Sequence, residues 1–294
     1  MNGELPPAIE AACVHRDGKG PWWHTGYCRP FFGQVALSDE RPLGDIVVSY
    51  TCSRSHDLCH AFWFELCHKP CRRGDTMRIL GLQLQTPDVA AQLDFYHGVF
   101  GLHVSESSEH KILLQAGATK LSFVRSHHIL NGIYHFAFTI PENKFSEAVG
   151  WLRQRMPLIS DASGRDTFHS DAWNADMVYL YDPAGNVVEF IARHTLPSST
   201  DHVFSGQRVL CISEIGVASG DVRAEAKALA RRAMTSIYSG AESDEFAAVG
   251  DETGLLIVVR RGRIWFPDTG QAAEPVPIAV IVETEEGPRR FDFT

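Results

Sequence analysis

The feature that most limits how this chain can fold is a repeat. Residues 79–86, ILGLQLQT, alternate apolar and polar side chains, the period of a half-buried strand. Asp88 follows as a helix cap. Val89, Leu93, Tyr96 and Phe100 then fall on one helical stripe, which Gly101 ends. Short strands at 111–116 and 119–125 flank Ala116-Gly117-Ala118, which reads as a hairpin turn. The order returns from 133, with a strand over 134–140 and a stripe of Phe145, Val149, Leu152 and Met156 closed by Pro157. Strands at 178–181 and 187–192 follow, joined by Asp182-Pro183-Ala184-Gly185-Asn186, whose residue types suit a tight turn. A third copy begins at 209. There CISEIGVASGDV parallels RILGLQLQTPDV, Asp221 replaces Asp88, and Val222, Ala226, Leu229 and Ala233 repeat the stripe. FAAVGDETGLLIVV then mirrors ILLQAGATKLSFV. Each copy reads strand–helix–strand–strand–strand. With so few strands per copy, paired sheets closing on each other are expected rather than a solenoid or a propeller.

The segment before the repeats differs. Of the seven cysteines, Cys13, Cys28, Cys52, Cys59, Cys67 and Cys71 precede residue 76, and only Cys211 follows. Residues 1–76 lack sustained periodicity, so they are expected to be a poorly ordered, cysteine-rich extension. They are a candidate to lie upstream of the true start, because Arg72-Arg73-Gly74 permits a purine-rich codon run just before Met77. A zinc site from Cys52, Cys59, His60, Cys67, His68 and Cys71 is the sharper alternative, but no C-x₂-C pair is present. The expected organisation is then 77–196 as paired modules, 197–208 as a linker, and 209–294 as a third module. Hydrophobic residues at 44%, charged residues at 21% and a net charge of −9 argue for a globular chain without a general nucleic-acid surface. No apolar run reaches bilayer length and no secretory signal opens the sequence, so a cytoplasmic location is expected.

The residues Asp88…Phe95-Tyr96…Phe100-Gly101-Leu102, His135-Phe136-Ala137-Phe138 and Tyr181-Asp182-Pro183-Ala184-Gly185-Asn186-Val187-Val188-Glu189-Phe190 resemble the vicinal oxygen chelate superfamily. That group contains glyoxalase I, bleomycin-resistance proteins, fosfomycin-resistance enzymes and extradiol dioxygenases. The resemblance covers roughly 77–282. It implies an α+β fold in which repeated βαβββ modules form a cupped mixed sheet around a divalent metal. Ligands would come from the first strand of one module and from the first and last strands of the next.

His135 and Glu189 match two of those ligand positions, and Glu189 also matches the family's catalytic base. The third position, seven residues before Asp88, is Gly81, which has no donor. Gln83, two residues on, faces the same way and is the substitute expected to reach the metal. In the third copy Glu214 stands seven residues before Asp221, while position 258, aligned with Glu189, is valine. Glu214 could complete the site if the third module packs across the cup, but an incomplete second site or none is the expectation, with the third module contributing structure rather than ligands. One imidazole with carboxylate suits Fe(II), Mn(II), Ni(II) or Zn(II). The implied function is a metal-dependent, glyoxalase- or dioxygenase-like enzyme acting on a small substrate with vicinal oxygens. A ligand-sequestering protein of the bleomycin-resistance type is the alternative, and a homodimer is also open.

Overall fold

The computed structural model describes residues 77–294, apart from the side chains of 239–241. The expectations placed on 1–76, including the zinc alternative, lie outside the described residues.

The first copy comprises β1 (Arg78–Thr86), α1 (Val89–Leu93) continuing through π-helical turns over Asp94–Val99, β2 (His103–Ser107), β3 (Lys111–Ala116) and β4 (Thr119–Arg125). The second comprises β5 (His135–Ile140), α2 (Phe145–Arg153), β6 (Thr167–Ser170), β7 (Ala175–Tyr181) and β8 (Val187–Arg193). The third comprises β9 (Cys211–Ser219), α3 (Val222–Ala233), β10 (Ile237–Glu242), β11 (Phe246–Asp251) and β12 (Gly254–Arg260). A C-terminal hairpin, β13 (Ile278–Thr284) and β14 (Gly287–Phe293), completes the chain. Asp88 and Asp221 cap α1 and α3, each accepting from the backbone N–H three residues on at 3.0 Å.

The strands form two curved mixed sheets. An eight-stranded sheet runs β10-β11-β12-β9-β5-β8-β7-β6, and a six-stranded sheet runs β14-β13-β1-β4-β3-β2. Chain order suggests the first and second copies as partners within 77–196. The structure instead pairs the second copy with the third, and the first with the C-terminal hairpin. The segment 278–294 thus joins a different sheet from the rest of 209–294. Strand periodicity specifies which face of a copy is buried, but not whose edge its first strand meets. Here the edge is decided by the connection after β8. It returns along β5, Leu210 N–H donates to Thr139 O, and β9 pairs antiparallel with β5.

The main core lies between the sheets and helices. It gathers Leu82 and Leu84 of β1, Tyr96 and Phe100 of the first helix, Phe136 and Phe138 of β5, Phe190 of β8 and Leu229 of α3. Buried Asp182 pins the first two copies together. Its carboxylate accepts from Tyr96 Oη and Gln92 Nε2, both at 3.1 Å, and from the backbone and side-chain amides of Asn186. A second, smaller core lies on the opposite face of the eight-stranded sheet, with Ala137, Tyr179, Ile191, Ile257 and Trp265.

Candidate active site on the eight-stranded sheet

Alternation along β5 sends Phe136 and Phe138 into the main core, and His135, Ala137 and Thr139 to the concave face. Ala137 is the centre of that face. In the parallel ladder its partner on β8 is Glu189, and in the antiparallel ladder its partner on β9 is Glu214. Two carboxylates therefore flank one small residue in a single rank across three strands. His135, one step along β5, brings Nε2 to 3.1 Å from Glu189 Oε2. All three side chains are buried.

Glu214 reaches this face through a bulge. Ala137 pairs with Glu214 but Phe138 pairs with Ile212, which leaves Ser213 as an extra residue. The bulge lets Ile212 and Ile215 both enter the main core while Glu214 turns to the cup. Burial raises the Glu214 carboxyl to about 8, helped by the charge of Glu189 and opposed by Arg193. Arg193, at the end of β8, is fully buried, and its Nη2 donates to Glu214 Oε1. Its guanidinium also stands 5.0 Å from the Trp173 ring centroid, a cation–π distance. Tyr179 lies opposite Glu189 on β7, and burial followed by the charge of Glu189 pushes its hydroxyl well up.

The segment after β12 covers the cup. Residues 261–273 fold back as a short hairpin, held by the Ile264–Ala272 bridge and by Gly262 N–H donating to Ala273 O. It sets the Trp265 ring 5.1 Å from the His135 ring, and Phe266 against Phe168 and Tyr179. Gly216 is required beneath it, because a Cβ there would come within 2.5 Å of the Trp265 ring.

The expected site residues separate. His135 and Glu189 come together. Gln83 does not join them: it is exposed on β1 of the six-stranded sheet, between Ala279 and Ser122. The residue that does join them is Glu214, from the copy expected to be structural. The register also moves an alignment. Gly216, two residues after Glu214 as Ala137 is after His135, pairs with Ile257, so Ile257 rather than Val258 stands where Glu189 does. Val258 points into the main core.

Residues 78–190 match the model of the Glyoxalase/Bleomycin resistance protein/Dioxygenase superfamily. The chain carries a domain of this superfamily. Its curved, repeated α+β modules are those of the vicinal oxygen chelate fold. Among solved structures it is similar to a putative dioxygenase from Bacillus subtilis, at 11% identity and a TM-score of 0.48 over 74% of this chain and 86% of that one. It is also similar to glyoxalase I from Zea mays, at 14% identity and a TM-score of 0.46 over 71% of this chain and 75% of that one. A lactoylglutathione lyase from Agrobacterium tumefaciens aligns at 22% identity and a TM-score of 0.33, over 38% of this chain and 91% of that one. No curated protein matches the chain.

Members of this superfamily often use a divalent metal, and one imidazole with two carboxylates is a suitable donor set. The arrangement in this cup does not fit one. The second carboxylate, Glu214, is engaged by a buried guanidinium, and among the described residues no three His, Cys, Asp or Glu side chains gather around a common centre. Among the described residues, no helix is long and apolar enough to cross a membrane.

Proposed function

We propose that the concave face of the eight-stranded sheet is the active centre of an enzyme that moves a proton on a small substrate bearing adjacent oxygens. The supporting observation is the pair of buried carboxylates ranked on either side of Ala137, one of which holds its proton to about pH 8. A carboxyl that keeps its proton beside a second carboxyl can supply an acid and a base at the same spot. Glu189 takes the proton from the carbon beside a carbonyl, and the C–H electron pair becomes the new C=C bond. The carbonyl oxygen takes the proton held by Glu214. The reverse transfers, on the neighbouring carbon, complete an isomerisation. His135 orients Glu189, and the Trp265 hairpin keeps bulk water from the cup. The metal-assisted form of this chemistry, which the resemblance implies for His135, Glu189 and Gln83, would need a third donor where Arg193 already holds Glu214.

Deuterium exchange tests the assignment. Small α-hydroxyketones and 2-oxoaldehyde–thiol adducts, followed by proton NMR in D₂O, should incorporate deuterium at the carbon beside the carbonyl. Glu189→Gln should slow this by at least about 100-fold, the usual share of a general base. Exchange at the wild-type rate in that variant removes Glu189 as the base. Tight binding without any exchange would replace turnover with ligand sequestration.

A further inference from the structure

We propose that Arg193 takes the place of a metal ion in this cup, as a resident cation that both offsets the carboxylates and donates to the oxygens of an uncharged ligand. This rests on the cup being the functional centre and adds the ligand's class.

Placement comes first. Glu189, Ile191 and Arg193 alternate onto the concave face of β8, so the guanidinium belongs to the same surface as the carboxylates. It is fully buried, and an arginine inside a protein does not shed its proton. Its aromatic neighbour Trp173 suits a delocalised cation and offers nothing to a metal ion.

Charge comes second. The cup sets Glu189 and Glu214 against one guanidinium. No positive charge is left over to draw a phosphate or a dicarboxylate, and an anion would face Glu189. The ligand that fits is uncharged.

Hydrogen bonding comes third. Nη2 of Arg193 is used by Glu214, but Nε and Nη1 are buried without partners among the described residues. Among the described residues Trp265 Nε1, a donor only, is also buried and unpaired, as are Thr139 Oγ1 and His135 Nδ1 on the same face. A buried donor left unmade costs about 1–3 kcal/mol, and more on a charged group. The excess is of donors, and what satisfies donors is a molecule presenting acceptor oxygens. A neutral compound with adjacent carbonyl and hydroxyl groups meets both requirements.

The test is metal stoichiometry in the full chain, compared between variants so that metal held elsewhere cancels. Each protein is reconstituted anaerobically with Fe(II), and separately with Mn(II), Ni(II) and Zn(II), then desalted and assayed by mass spectrometry of the metal. Wild type and His135→Ala should hold equal amounts. Arg193→Met should gain close to one equivalent, because Glu214 is released to join His135 and Glu189. Adding Glu214→Gln should abolish that gain. The proposal is overturned if wild type holds an equivalent that His135→Ala loses, or if Arg193→Met folds and gains none. Should Arg193→Met fail to fold, the wild-type and His135→Ala pair decides alone. Because the readout is metal content, these results do not depend on whether the exchange assay detects turnover.

Discussion

The two sheets use one plan to different ends. Register equates Gly81, Ser122 and Ala279 of the six-stranded sheet with His135, Glu189 and Glu214 of the eight-stranded sheet. The strand order around the central first strand is the same, with a parallel partner on one side and an antiparallel partner on the other. One sheet nevertheless carries a glycine, a hydroxyl and a methyl where the other carries an imidazole and two carboxylates. The side with the ionisable groups is also the side covered by the 261–273 hairpin, whereas Gln83 and Lys120 on the plain sheet are exposed. The scaffold therefore does not require buried charge at these positions. Buried ions cost several kcal/mol each to desolvate, so their retention on one sheet alone points to use rather than to folding.

The largest break in that comparison should come from Glu214→Ala. It leaves the Arg193 guanidinium buried without its only hydrogen-bonded partner among the described residues, and the expected loss is about 3–5 kcal/mol of unfolding free energy. Urea denaturation with an unchanged m-value would measure it. Removing an exposed charge from the other sheet, Lys120→Ala, should stay within about 0.5 kcal/mol.

A smaller effect is the response of stability to pH. The Glu214 carboxyl is raised in the folded chain from 4.5 to about 8. Between those values the folded state binds the proton that the unfolded state has lost, so this group's contribution is full below 4.5 and falls as pH rises through 8. The slope is at most about 1.4 kcal/mol per pH unit, the value for one unmatched proton. Denaturation midpoints from pH 5 to 9 should show that decline in wild type, and Glu214→Gln should flatten it. An identical slope in both proteins would assign the effect elsewhere.

The smallest expected effect is at Gln83. As an exposed residue on the plain sheet, Gln83→Ala should shift stability by less than about 0.5 kcal/mol and leave ligand binding unchanged. A clear loss of ligand affinity would mean that the six-stranded sheet also contributes to the site.

Much of this was legible in the residues themselves. The period-two strands, the two aspartate caps and the Asp-Pro-Ala-Gly-Asn turn located most elements, because each follows from local geometry. His135 and Glu189 stood out because they occupy two of the ligand positions that the family resemblance implies. Glu214 was visible as a carboxylate, but its destination was not. Reaching the cup depends on which copies pair and on the Ser213 bulge, and neither leaves a periodic trace. Arg193 was missed although a signal existed: in VVEFIAR it lies four residues after Glu189, and alternation puts both on one face. Trp265 lies outside every repeat, in a connection whose path only the fold reveals. The weak edge strands β2, β6 and β10 escaped for a related reason: with one neighbour each, they show little alternation.

The most direct test of the central claim, that two carboxylates from different copies share one cup, is a carboxyl titration. Carbon-13 NMR of protein labelled at the glutamate side-chain carboxyl would follow every glutamate through pH 3 to 10. The account predicts one carboxyl titrating near 8, absent in Glu214→Gln and shifted down in Glu189→Gln, because removing a neighbouring negative charge makes ionisation easier. If every glutamate titrates within about one unit of the ordinary value, or if Glu189→Gln leaves the high titration unmoved, the two carboxylates do not share a site.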